Sequence, residues 1–130
     1  MKPFTVDPRP PAYLSLSEKQ WDDKIQKARE LASPCTLCPR HCKALRFQKS
    51  EPPTLGVCRT ADKAIIANVG PHFGEEPPLV GTGGSGTIFF TYCNLRCIFC
   101  QNYDIAHLGE GREVSDEELG QIMLRVQAMG

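Results

Sequence analysis

The sequence has no excess of charge of either sign. Its 130 residues include 15 Lys and Arg and 15 Asp and Glu, so the formal net charge at pH 7 is zero. Proteins that bind nucleic acid use a surplus of basic side chains to displace the counterions of the phosphate backbone. The balance of charge therefore predicts that nucleic acid is not a partner of this protein.

Long apolar runs are also missing. The stretch from Ala64 to Ala67 is among the longest, and it is far shorter than the roughly 20 residues that a membrane-spanning helix needs. The N-terminus, beginning at Met1, has no apolar segment of the kind that a secretory signal contains. We therefore expect a cytoplasmic protein that has no membrane partner.

Cysteine, in contrast, is abundant. The chain has 7 cysteines, an odd number that does not fit a closed set of disulfides. In the reducing cytoplasm, clustered cysteines more often bind metal or carry out chemistry. They fall into two groups that account for all of them. The upstream cysteine group consists of Cys35, Cys38, Cys42 and Cys58, and the downstream cysteine loop, residues 93–100, carries Cys93, Cys97 and Cys100.

Hydrophobic periodicity predicts one helix near each end of the chain. Ser17 and Gln20 have the spacing of a capping box, and apolar residues recur at helical intervals up to Ala32. We predict a helix over residues 18–32, closed before Pro34, with its Trp21 in the core. A second capping box at Ser115 precedes an amphipathic pattern that predicts a helix over about residues 116–129.

Two short apolar runs predict strands between these helices. The first covers residues 64–69 and is expected to end at Gly70 and Pro71, and the second, residues 87–91, suits a buried strand. Residues 71–86, rich in Gly and Pro, are predicted to form a loop. Their segment 81–86 matches the string G-x-G-x-x-G, but it precedes a strand and opens no helix, so we do not interpret it as a dinucleotide site.

Three thiolates in the downstream cysteine loop can converge on one metal centre. Soft sulfur ligands select iron–sulfur clusters, zinc or copper(I). A structural site normally has four protein ligands, whereas three leave one metal position open, as metal catalysis requires. The alternative is a zinc or ferredoxin-type site whose fourth ligand lies elsewhere in the chain, for example His107.

The downstream cysteine loop, Cys-Asn-Leu-Arg-Cys-Ile-Phe-Cys, resembles the signature of radical S-adenosylmethionine (radical SAM) enzymes. The wider stretch, about residues 33–130, is similar to the N-terminal portion of radical SAM proteins that resemble pyruvate formate-lyase activating enzyme. The resemblance implies that Cys93, Cys97 and Cys100 hold three irons of a 4Fe–4S cluster and that S-adenosylmethionine (SAM) binds the fourth iron. It also implies that Phe99 lines the nucleotide pocket, although a core aromatic side chain is an equal alternative.

The chemistry implied by this resemblance is reductive cleavage of SAM to a 5′-deoxyadenosyl radical that abstracts hydrogen from a substrate. The partners implied are a reductant, such as flavodoxin or ferredoxin, and, by analogy with activating enzymes, a protein substrate. The protein is then an oxidoreductase of the activase type. The alternative function is a non-catalytic iron–sulfur or zinc module, or an inactive fragment of such an enzyme.

The upstream cysteine group is a complete set of metal ligands by itself. Cys35 and Cys38 form a metal knuckle, and Cys42 and Cys58 supply two further thiolates. An auxiliary 4Fe–4S cluster and a structural zinc both fit the spacing, and four uncoordinated cysteines are the remaining alternative. The surrounding segment has few apolar residues, so a bound metal would supply its folding energy.

These observations predict an α/β chain in three segments. They are an extended Pro-rich arm (1–16), a helix with a Cys-rich metal-binding segment (17–62), and the first βα unit of a partial (β/α) radical SAM barrel (63–130). A complete barrel usually needs about 250 residues. The chain is therefore expected to be the first part of a longer enzyme, and by itself to cleave SAM poorly.

Overall fold

The computed structural model describes residues 9–48 and 54–129, which form an antiparallel sheet, two longer helices and several short turns. Residues 1–8 of the predicted arm lie outside this description, and the rest of the arm includes a 3₁₀ turn at Ala12–Ser15. The longer elements are helix α1 (Glu18–Ala32), strand β1 (Ala64–His72), helical turn α2 (Pro77–Val80), strand β2 (Ser85–Phe90), strand β3 (Arg112–Val114) and helix α3 (Asp116–Ala128). A π-helical turn, Asp104–Leu108, precedes β3.

Helix α1 begins at the predicted capping box. The backbone N–H of Ser17 donates to Gln20 Oε1 over 2.8 Å, and the Ser17 hydroxyl accepts from the backbone N–H of Gln20 over 3.4 Å. The predicted bounds of this helix are confirmed. The prediction that Trp21 lies in the core is wrong, because 42% of its surface is exposed. Only Ala32, at the C-terminal end, is buried, since α1 lies beside an irregular segment that offers little apolar surface.

The sheet has the order β2-β1-β3, and both pairs are antiparallel. Strand β1 is longer than predicted and continues through Pro71 to His72. It can do so because β3 pairs only with residues up to Ile66, so that Pro71 lies where β1 has a neighbouring strand on one side alone, a position that tolerates proline. The three-residue strand β3 was not predicted.

Strand β2 is less buried than its sequence predicts. Phe90, its last residue, remains 51% exposed. The predicted loop 71–86 contains the last two residues of β1, the turn α2 and the first two residues of β2. Pro77 and Pro78 occupy the first helical positions of α2, which suit the fixed φ of proline. From β2 to α3 a strand, the cysteine loop and a helix follow one another, with β3 between loop and helix. Both strand pairs among the described residues are antiparallel, whereas a (β/α) barrel is built from parallel strands, so the barrel stays a prediction.

Helix α3 lies on the sheet and completes a small core. Ile66, Val114 and Ile122 are its buried members, and half-buried apolar side chains surround them. Gly86 permits the close approach of α3 to β2, since a Cβ at that position would collide with Val126. No helix within residues 9–48 and 54–129 has both the length and the apolar composition needed to cross a bilayer.

The N-terminus of α3 is fixed by two contacts. Ser115 caps the helix by accepting from the backbone N–H of Glu118 over 3.1 Å. The Glu118 carboxylate does not close the predicted capping box. It pairs with Arg112 Nη1 over 2.6 Å instead, and so joins the helix to β3.

Replacing Ile122 with Ala should lower the free energy of unfolding by about 3 kcal/mol, because it leaves a cavity between α3 and the sheet. Met123→Ala, at the neighbouring and 58% exposed position, is the matched control and should change stability by less than about 0.5 kcal/mol. Urea unfolding followed by circular dichroism measures both. Equal losses for the two variants would contradict the assignment of Ile122 to the core.

Candidate metal centres in two cysteine-containing segments

The Cys-rich segment has no helix or strand of its own between α1 and β1 in the part that is described. Its order comes from a short backbone ladder around Cys35. The N–H of Cys35 donates to the carbonyl of Ala44 over 2.9 Å, and the N–H of Lys43 donates to the carbonyl of Cys35 over 3.1 Å. Cys35 is thereby buried to 2% exposure and faces the residues that follow it in the upstream cysteine group.

Three members of the upstream cysteine group are neighbours. Cys35 lies close enough to Cys42 and to the guanidinium of Arg46 for both to act on its thiol, and Arg46 Nη2 lies 3.2 Å from Cys58 Sγ. Cys42 Sγ also lies against Gly56, where an added Cβ would come within 2.5 Å of the sulfur. Cys38 is half-buried, and its carbonyl accepts from the N–H of His41 over 3.0 Å.

Arg46 connects cysteines of this group to nearby backbone carbonyls, and this role was not predicted from the sequence. Its Nη1 donates to the carbonyls of Thr60, over 2.5 Å, and Ala61, while its Nη2 donates to Cys58. The Nε atom is buried without a hydrogen-bond partner among the described residues. An arginine within a Cys-rich segment is only a weak signal in sequence, because nothing in the spacing shows which carbonyls and thiols it reaches.

The positive charge of Arg46 alters the acidity of two thiols. Burial raises the pKa of Cys35, but the N–H of Leu37 and the Arg46 guanidinium outweigh burial, so this pKa lies below its ordinary value. At Cys58 burial again raises the pKa, and the N–H of Thr60 together with Arg46 lowers it overall. The thiolate, which is the form that binds metals, therefore forms more readily at both positions than in an ordinary cysteine.

The downstream cysteine loop follows β2, and its three cysteines are all half-buried. The N–H of Leu95 donates to Cys93 Sγ over 3.4 Å, and the N–H of Cys100 donates to the carbonyl of Cys97 over 3.3 Å. Tyr92 and Arg96 have positive φ angles, 66° and 55°, so the backbone turns sharply on both sides of Cys93. The convergence of the three thiolates on one metal centre stays a prediction.

Two side chains from outside the loop hold its carbonyl groups. Arg40 donates to the carbonyls of Asn94 and Leu95, and His107 Nε2 lies 3.0 Å from the carbonyl oxygen of Cys97. His107 also stacks on Tyr103, with ring centroids 4.6 Å apart. The imidazole considered as a fourth ligand is therefore close to the loop, but its Nε2 is used by a backbone carbonyl.

Phe99 projects into solvent and is 87% exposed, which excludes the alternative that it is a core aromatic residue. Its neighbour Ile98 is 93% exposed.

Elsewhere, His72 lies 3.9 Å from Glu75 in a partly exposed pair. Within residues 9–48 and 54–129, no three Cys, His, Asp or Glu side chains converge closely enough to hold a single metal ion.

Comparison with known proteins gives one relative. An 87-residue stretch, 67% of the chain, is 34% identical to an uncharacterised protein of Methanocaldococcus jannaschii. The matched stretch corresponds to 23% of that protein, so the chain spans less than a quarter of the length of this relative. No protein-family profile and no solved structure matches the chain.

Replacing Arg46 with Gln should lower the free energy of unfolding of the reduced, metal-free chain by about 2 kcal/mol. The substitution removes charge-assisted hydrogen bonds to Thr60, Ala61 and Cys58 and leaves their acceptors unpaired. Arg125→Gln, on the exposed surface of α3, is the control and should cost less than about 0.5 kcal/mol. Urea midpoints that agree between the two variants would refute the role of Arg46.

Proposed function

We propose that this chain is part of a radical SAM protein and that the downstream cysteine loop holds a 4Fe–4S cluster through Cys93, Cys97 and Cys100. The observation that carries the proposal is the loop itself, in which three half-buried cysteines lie within eight residues directly after a strand. Thiolates are the ligands of iron–sulfur clusters, and three of them leave one iron for SAM. When bound, a reduced cluster of this kind supplies the electron that cleaves SAM and produces a carbon radical able to abstract hydrogen.

The residues of the loop have separate tasks in this proposal. The N–H of Leu95 points to Cys93 Sγ and would remain a hydrogen-bond donor to that sulfur in the loaded site, where such bonds tune the metal. Phe99, exposed beside Cys100, offers an aromatic face on which the adenine of SAM can stack. The carbonyl groups held by Arg40 and His107 fix the shape of the loop before the cluster is bound.

We propose a second 4Fe–4S cluster, in preference to zinc, for the upstream cysteine group. The fit rests on the buried Nε of Arg46, which has no acceptor among the described residues although it lies beside thiols. A buried donor without a partner is costly, and the inorganic sulfides of a cluster would add acceptors that a zinc ion does not bring. The same guanidinium would offset part of the negative charge of the cluster and its thiolates.

The remaining parts of the proposal concern the whole protein. The chain spans less than a quarter of the length of its relative, so the substrate, the partners and the complete activity are proposals. We propose a protein that works in the reducing cytoplasm, where its cysteines stay available as ligands. It would receive electrons from flavodoxin or ferredoxin and act on a protein substrate.

Replacing Cys93, Cys97 and Cys100 together with Ala should remove one cluster's worth of iron and sulfide from the anaerobically loaded chain, because their thiolates are the ligands. Ile98→Ala, at a solvent-exposed position of the same loop, is the control and should leave the iron content unchanged. Unchanged iron in the triple variant would refute the assignment of the cluster. A SAM-independent electron paramagnetic resonance spectrum of the reduced parent would instead favour an electron-transfer module.

The triple variant also tests the upstream cysteine group. Offered iron, sulfide and equimolar zinc, it should assemble one 4Fe–4S cluster, because the inorganic sulfides add acceptors for the buried Nε of Arg46. Metal analysis and the visible absorption of the cluster measure the result. The additional substitution of Cys35 and Cys58 with Ser is the control that should abolish it, and a chain that takes up zinc alone would contradict the second cluster.

A further inference from the structure

Arg40 joins the two cysteine sites. It lies in the turn between Cys38 and Cys42, and its side chain reaches the downstream cysteine loop more than fifty residues away. Its Nε donates to the carbonyl of Asn94 over 2.5 Å, and its Nη2 lies 3.4 Å from the carbonyl of Leu95. Both acceptors belong to the backbone immediately after Cys93.

Arg40 acts on Cys93, a ligand of the proposed cluster, through one rigid peptide group. The carbonyl of Asn94 and the N–H of Leu95 are the two ends of one planar peptide group. Arg40 holds the oxygen end, and the hydrogen end donates to Cys93 Sγ over 3.4 Å. The guanidinium therefore fixes the orientation of this N–H and, by polarising the peptide, strengthens its hydrogen bond to the sulfur.

The position of Arg40 depends in turn on the upstream cysteine group. Its turn is closed by the N–H of His41, which donates to the carbonyl of Cys38, and both His41 and Lys43 have positive φ angles, 42° and 56°. A non-glycine residue in this region is strained, so the turn persists only if its surroundings hold it. Cys38 and Cys42 flank the turn, and metal ligation by both would provide that restraint.

We infer that Arg40 is a positioning residue that makes loading of the downstream cysteine loop depend on the upstream cysteine group. The inference rests on the proposed function, because it concerns how the cluster held by Cys93, Cys97 and Cys100 is stabilised. A filled upstream site holds the turn, the turn holds Arg40, and Arg40 holds the Leu95 N–H on Cys93. An empty upstream site releases the turn and, with it, the donor to the ligating sulfur.

The test compares Arg40→Gln with Lys43→Gln, which removes the same charge three residues further along the chain, just beyond the turn. After anaerobic loading, iron release to a chelator is followed from the downstream cluster, identified by the signal that the triple alanine variant lacks. Loss of an outer partner of a metal ligand typically weakens a site by 10–100-fold. We expect release about tenfold faster in R40Q, a smaller acceleration in R40K, which keeps the charge but loses the two-pronged guanidinium, and the parent rate in K43Q.

The dependence on the upstream site is tested by repeating R40Q in a chain whose Cys35, Cys38, Cys42 and Cys58 are all Ser. This background should already release downstream iron at the R40Q rate, and adding R40Q should change nothing further. The reduction potential of the remaining downstream cluster should fall equally in R40Q and in this background, because both weaken the N–H bond to sulfur.

Two results distinguish a failure of this inference from a failure of the proposed function. If the parent loads its downstream cluster normally but R40Q behaves like K43Q, or if its effect is undiminished in the four-serine background, the inference is wrong and the proposed function stands. If the triple alanine variant loses no iron, the proposed function is wrong and the inference falls with it.

Discussion

The order of the Cys-rich segment between α1 and β1 depends on the contacts of the Arg46 guanidinium. The described part of this segment has no helix or strand, only a few backbone hydrogen bonds around Cys35, and it buries few apolar side chains. Arg46 replaces a core there, because one side chain reaches two thiols and two carbonyls that are separated in sequence. The same contacts that order the segment also favour the thiolates a metal would need, so stability and ligand chemistry have a common origin.

The C-terminal part of the chain, from β1 to α3, is organised differently, by the apolar contact of α3 with β1 and β2. Its core is small and is built from Ile66, Val114 and Ile122. This small unit supports the downstream cysteine loop, since β2 leads into the loop and the π-helical turn that carries His107 leads out of it toward β3. Both cysteine-containing segments are therefore held mainly by polar contacts to backbone carbonyls, with an apolar scaffold on one side only.

The success of sequence-based prediction follows the range of the interactions involved. The cap of α1 at Ser17 and the cap of α3 at Ser115 are local, and both helices were predicted nearly to the residue. Strand β3 and the continuation of β1 through Pro71 were missed, because strand pairing depends on partners that no local pattern names. The spacing of the cysteines predicts two ligand groups, and this stays a prediction. The roles of Arg40 and Arg46 could not be predicted, since each reaches groups brought near only by the fold.

The two partners of the contact between Arg40 and the backbone of Asn94 are synthesised at different times. A chain synthesised from its N-terminus completes Cys58, and so the whole upstream cysteine group, before the first residue of the downstream cysteine loop exists. The donor is thus available before its acceptor emerges from the ribosome, and N-terminal units generally fold first during synthesis. The order of the two segments along the chain therefore lets the upstream segment be in place before the downstream cysteine loop makes its contact with Arg40.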